Sequence, residues 1–136
     1  LAVRAALDHP DMRPLLPKLD TLLTLGSPHL GIRFGAHPLV DGGARVLQQL
    51  SGSSRCIAEL LLTDSPDPGQ AVLCRLAAQP ALSNFRKVLL LASPQDGFIP
   101  RHSARMEVAD AVLADKRYGP SIRAAVDSLE LQLNSC

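Results

Sequence analysis

RKVLLLASPQDGFIP, residues 86–100, places an unbroken apolar run, Val88 to Ala92, behind two basic residues and ahead of a polar turn. A strand is read over Arg86 to Ala92, because a short continuous apolar run bounded by turn residues is typical of a central parallel strand covered on both faces. Working outward, LDTLLTLGSPHLG at 19–31 repeats the pattern: a Leu- and Thr-rich strand over 19–26, closed by glycine, then the turn Ser27-Pro28-His29-Leu30-Gly31. Two such units with helical segments between them predict an α/β fold with parallel strands, whose ligands sit at the carboxyl ends of the strands. A doubly wound sheet normally needs about five strands. The expectation is therefore that the remaining strands lie outside these 136 residues, and that the chain, which opens on Leu1 inside an apolar run, is the central to C-terminal part of one domain.

The intervening segments read as helices and loops. Leu1 to Asp8 has helical composition and stops at Asp8-His9-Pro10, and a proline-punctuated loop follows. Between Ile32 and Asp64 the pattern predicts loop, then two short amphipathic helices, one with Val46, Leu47 and Leu50 and one with Cys56, Ile57, Leu60 and Leu61. Residues 63–68 are loop that ends with good capping residues, and Val72, Leu73, Leu76 and Ala77 form a helical stripe that ends at Pro80. After Pro100 a helix is expected with Ala104, Val108, Ala111 and Val112 on one face, and a last helix from about Pro120 with Ile122, Ala125, Val126, Leu129 and Leu133 spaced three and four apart.

Composition limits the function classes. Of the residues 46% are hydrophobic, with 25 Leu and 17 Ala but only four aromatic side chains, which implies an aliphatic core and excludes a disordered tail. The net charge of +1, with both signs interleaved, leaves no electrostatic footprint for nucleic acid or an anionic membrane. No apolar run approaches the ~20 residues of a transmembrane helix. Cys56, Cys74 and Cys136 lack CxxC spacing. Cys56 and Cys74 read as buried apolar thiols, and the odd count fits a reducing compartment such as the cytoplasm. No histidine pair has metal-ligand spacing, so neither a metal nor a cofactor is called for.

Chemistry concentrates in the two turns. Asp96 follows the strongest strand, where a carboxylate can orient a histidine and stabilise its imidazolium; capping of its own turn is the simpler role. His29 either lines a substrate pocket or packs its loop. Ser27 lacks the glycines two before and two after it that a nucleophile elbow requires, and reads as a turn residue. His102, six residues after Asp96 at a helix start, reads as structural, because the histidine of a Ser…Asp…His order usually comes from a later loop. Arg101, Arg105 and Glu107 form a solvated helix start. Residues 42–62, after the first turn, are either a lid or ordinary packing.

Taken together, LDTLLTLGSPHLG, DSPDPGQAVLCRLA and FRKVLLLASPQDGFIPRHSARMEVADAVLADK resemble a serine esterase family of the lipase-like α/β-hydrolase superfamily, and most nearly the C-terminal domain of the family with sequence similarity 135. The most specific stretches are SPHLG, similar to the TPHxG turn of lipases, and QDGFIPRHSAR. The resemblance implies that Asp96 is the triad acid, that the nucleophilic serine precedes Leu1, and that the base lies in a turn beyond Cys136. It implies hydrolysis of a small-molecule or lipid carboxylic ester through an acyl-enzyme, in a chain that lacks the nucleophile. The other reading is a catalytically silent α/β-hydrolase fold used for protein interaction.

Overall fold

The computed structural model describes residues 2–34 and 55–135. Strand β1 (Thr21–Leu25) pairs in parallel with β2 (Lys87–Leu91), in the register Leu23 to Leu89 and Leu25 to Leu91. Helix α1 (Ala2–Leu7) precedes β1, and α2 (Arg55–Leu60) and α3 (Val72–Ala78) lie in the crossover to β2. Then come α4 (Arg101–Arg105), α5 (Asp110–Ala114) and the long α6 (Gly119–Leu133). The parallel pairing agrees with the sequence reading. The first of the two amphipathic helices expected after the Ser27–Gly31 turn lies outside the described residues; the second is α2.

Local chemistry explains the element ends. Asp64 accepts a hydrogen bond at Oδ2 from the Val72 amide (2.8 Å), satisfying a donor that the first turn of α3 leaves free. Asp115 does the same ahead of α6, its Oδ1 accepting from Tyr118 (2.8 Å) and Arg117 (2.9 Å). The stripe Ile122, Ala125, Val126 and Leu129 is buried against α3, as the spacing predicts. Burial of a leucine such as Leu129 contributes about 2 kcal/mol. At the far end of α6, buried Gln132 donates to the Ala77 carbonyl (2.8 Å) and accepts from the Leu82 amide (3.1 Å), so its amide closes the gap between α6, α3 and the turn before β2.

The structure corrects three expectations. The helix after Pro100 is not continuous: Met106 adopts the left-handed conformation (φ +58°) and caps α4, and the chain restarts a helix only at Asp110. The break brings Met106 and Val112 into one core with Leu73, Leu82 and Ile122, which a straight helix through Val108 could not do. Cys56 is exposed, whereas Cys74 is buried and its thiol pushed up to about 11 by desolvation and by Asp64 and Asp67. The third correction concerns the sheet. Leu22, Thr24, Val88 and Leu90 face inward, but Leu23 (52%), Leu25 (69%), Leu89 (51%) and Leu91 (52%) stand exposed on the other face. Only one face of the strands is covered by the described residues.

Candidate active site

The carboxyl ends of β1 and β2 lie side by side, and the two polar turns of the sequence reading meet there. Gly26, at φ +53°, ends β1; its amide donates to the Leu91 carbonyl (2.8 Å) and extends the ladder by one bond. A Cβ on Gly26 would lie 3.1 Å from Oδ2 of Asp96, so the glycine admits the carboxylate against the end of β1.

Among the described residues Asp96 is held by one oxygen only. Its Oδ1 accepts from the Ile99 amide (3.0 Å) and the Phe98 amide (2.9 Å), and these two bonds keep its carboxyl below the usual carboxylate range. Both roles considered for Asp96 are thus compatible: Oδ1 caps the turn, and Oδ2, beside Gly26, holds no hydrogen bond among the described residues. Because the carboxyl is depressed in the folded state, the ionised form persists below the ordinary aspartate value and is lost as pH falls through the folded one.

His29 is buried under the first turn. Its Nε2 is hydrogen-bonded to Thr24 Oγ1 (3.1 Å), its Nδ1 is buried without a partner, and burial together with the nearby Arg4 charge pushes its pKa down to about 3. The imidazole is therefore neutral at physiological pH. A cavity of about 240 Å³ lies beside it, bounded also by Val3, Arg4, Thr24 and Ser27. The turn itself is tied at Leu30, whose amide donates to the buried Ser103 hydroxyl of α4 (3.0 Å).

Among the described residues no hydrogen bond or ion pair joins Asp96 to His102, whose ring is partly buried and whose pKa is lowered by desolvation against the opposing Glu107. On the esterase resemblance of the sequence, His102→Ala is expected to leave kcat on a short-chain aryl ester within about threefold of wild type. Abolition of turnover at unchanged thermal stability would place the base in this segment instead. Of residues 42–62, the described part is α2 with Leu61 and Leu62, both fully buried; residues 42–54 lie outside the described residues.

Sequence reasoning passed over Arg4, Thr24, Gly26 and Ser103. Arg4 alone left a signal, as the single charge in the apolar stretch LAVRAAL. Among the described residues no group of three or more His, Cys, Asp and Glu could hold a metal, and no helix is long and apolar enough to cross a membrane. A groove of about 660 Å³ between α1, α2 and α3 is lined by Asp8, Cys56, Glu59 and Arg75 among others, and by no residue of the two turns. The family described as "Putative serine esterase" matches residues 1–110, which include both turns and Asp96. No solved structure matches the chain.

Proposed function

The chain belongs to that serine esterase family, and we propose that it carries the acid and part of the pocket wall of a lipase-like α/β-hydrolase that cleaves carboxylic esters. The observation that carries this reading is Asp96, fixed through Oδ1 by two backbone amides while Oδ2 is left free at the carboxyl end of a parallel strand. The 136 residues hold no G-x-S-x-G, and in this reading the nucleophile and the base are supplied from outside them. The bare leucines of β1 and β2 agree, because parallel strands are stable only with both faces covered, and further strands and helices would cover them.

In this mechanism the serine Oγ attacks the ester carbonyl and passes its proton to the histidine. Asp96 Oδ2 accepts the other imidazole N–H, selects the productive tautomer and stabilises the imidazolium, which then protonates the leaving alcohol. Water, activated by the same histidine, hydrolyses the acyl-enzyme and releases the acid. His29 serves the substrate pocket from below the turn, through the cavity it shares with Thr24 and Ser27. Residues 42–62 remain the candidate cover of the pocket, on their sequence pattern. The substrate is a small-molecule or lipid ester.

The test is reaction of the full-length polypeptide with a serine-directed fluorophosphonate, followed by mapping of the labelled residue. Stoichiometric labelling of one serine outside these 136 residues is expected. A label mapped to Ser27 overturns the choice of nucleophile, and absence of both label and ester turnover leaves the silent interaction fold as the reading.

A further inference from the structure

Arg4 stands in α1 among Ala2, Val3 and Ala5, and its side chain is 2% exposed. Its Nη2 donates to the His29 carbonyl oxygen (2.9 Å), 25 residues away, but Nε and Nη1 are also buried and have no hydrogen-bond partner among the described residues. Among the described residues no carboxylate pairs with it. Burial lowers its pKa to about 10. A desolvated guanidinium with one neutral acceptor is a poor stabiliser, and an unbranched apolar side chain of similar length would fill the same space without stranded donors.

The position of that one bond gives the arginine a purpose. Among the described residues three side-chain hydrogen bonds hold the Ser27–Gly31 turn: to the His29 ring from Thr24 of β1, to the Leu30 amide from Ser103 of α4, and to the His29 carbonyl from Arg4 of α1. The first comes from the strand that leads into the turn, and the second from the helix behind the Asp96 turn. Only the third ties the turn to α1. We infer that Arg4 is a positioning residue, which fastens α1 to the Ser27–Gly31 turn so that this turn keeps its place beside Asp96. The role rests on the esterase reading. A forked, rigid guanidinium suits it, because one nitrogen of the fork can hold the carbonyl in a fixed geometry.

The experiment compares wild type, Arg4→Met and Arg4→Lys in the full-length polypeptide, by thermal unfolding, by kcat and KM on a short-chain aryl ester, and by amide exchange at Leu30 and Gly31. Arg4→Met is expected to keep Tm within about 3 °C, and to lower kcat at least about tenfold while KM changes less than about threefold. Exchange at Leu30 and Gly31 should rise at least about tenfold as the turn comes loose from α1. Arg4→Lys, which can still reach the carbonyl, should recover part of kcat; should Arg4→Met not fold, the same comparison is made with Arg4→Lys alone, where intermediate kcat and exchange are expected. Unchanged kcat overturns the role, and so does a large fall in Tm with full kcat in the molecules that remain folded. If wild type turns over no ester, the esterase reading fails by itself. The fastening is then decided by exchange, and rates equal to wild type overturn it.

Discussion

Asp96→Asn in the full-length polypeptide is expected to lower kcat on a short-chain aryl ester by about four orders of magnitude with an unchanged melting temperature. The asymmetry of the two carboxylate oxygens is the reason. An asparagine Oδ1 can still accept from Ile99 and Phe98 as the aspartate does, so the turn at the end of β2 keeps its shape. The other position becomes an NH₂ group, which donates where the mechanism needs an acceptor, favours the wrong imidazole tautomer and offers no charge to the imidazolium. A loss of turnover that came with a comparable loss of stability would assign Asp96 to the turn alone, and an unchanged kcat would falsify its role as the acid.

Gly31→Ala is the second large effect: a destabilisation of about 3 kcal/mol or more, seen as a fall in Tm of about 10 °C or more. Gly31 has φ +83°, where an L residue is already strained, and a Cβ there would run into the Leu60 carbonyl oxygen and lie 3.1 Å from Leu73 Cδ1. That oxygen has little freedom to retreat. It ends α2 and accepts from the Ile32 amide (2.9 Å), the residue immediately after the glycine, so the strain falls on the bond that docks the turn onto α2. Gly97→Ala is the control, because a Cβ there meets nothing within 4 Å and the change should stay within about 0.5 kcal/mol. Equal Tm values for the two variants would show that the SPHLG turn does not need its last glycine for packing.

The strands were legible because their signal is local. Short Leu-rich runs, one closed by Gly26 and one by Ser93-Pro94, admit few alternatives, and β1 and β2 lie inside the predicted spans 19–26 and 86–92. The stripe of α6 was legible for the same reason, since every third or fourth residue from Ile122 to Leu129 is buried. The break at Met106 was not, because no glycine or proline marks it. Val108 and Ala111 continue the apolar spacing, and only the demand that Met106 and Val112 share one core turns the chain there. Exposure of Cys56 was equally hidden: α2 is one and a half turns long, and its six residues leave the inward face ambiguous.

By itself the sequence determined that Asp96 and the Ser27–Gly31 turn follow strands, and that those strands run parallel, because patterning and turn chemistry act over a few residues and the crossover between them is long. It equally withholds from Ser27 the glycines two before and two after that an elbow serine needs to relieve its crowding. Only the tertiary structure decided how the two turns stand to each other. The bonds that set this, Arg4 to His29, Leu30 to Ser103 and Gly26 to Leu91, join residues 25, 73 and 65 positions apart. Such pairings leave no periodic trace, because each depends on where the parallel register and the α3–α6 core bring distant segments together. For the same reason only the folded chain separates the two oxygens of Asp96, one taken by its own turn and one left free beside Gly26.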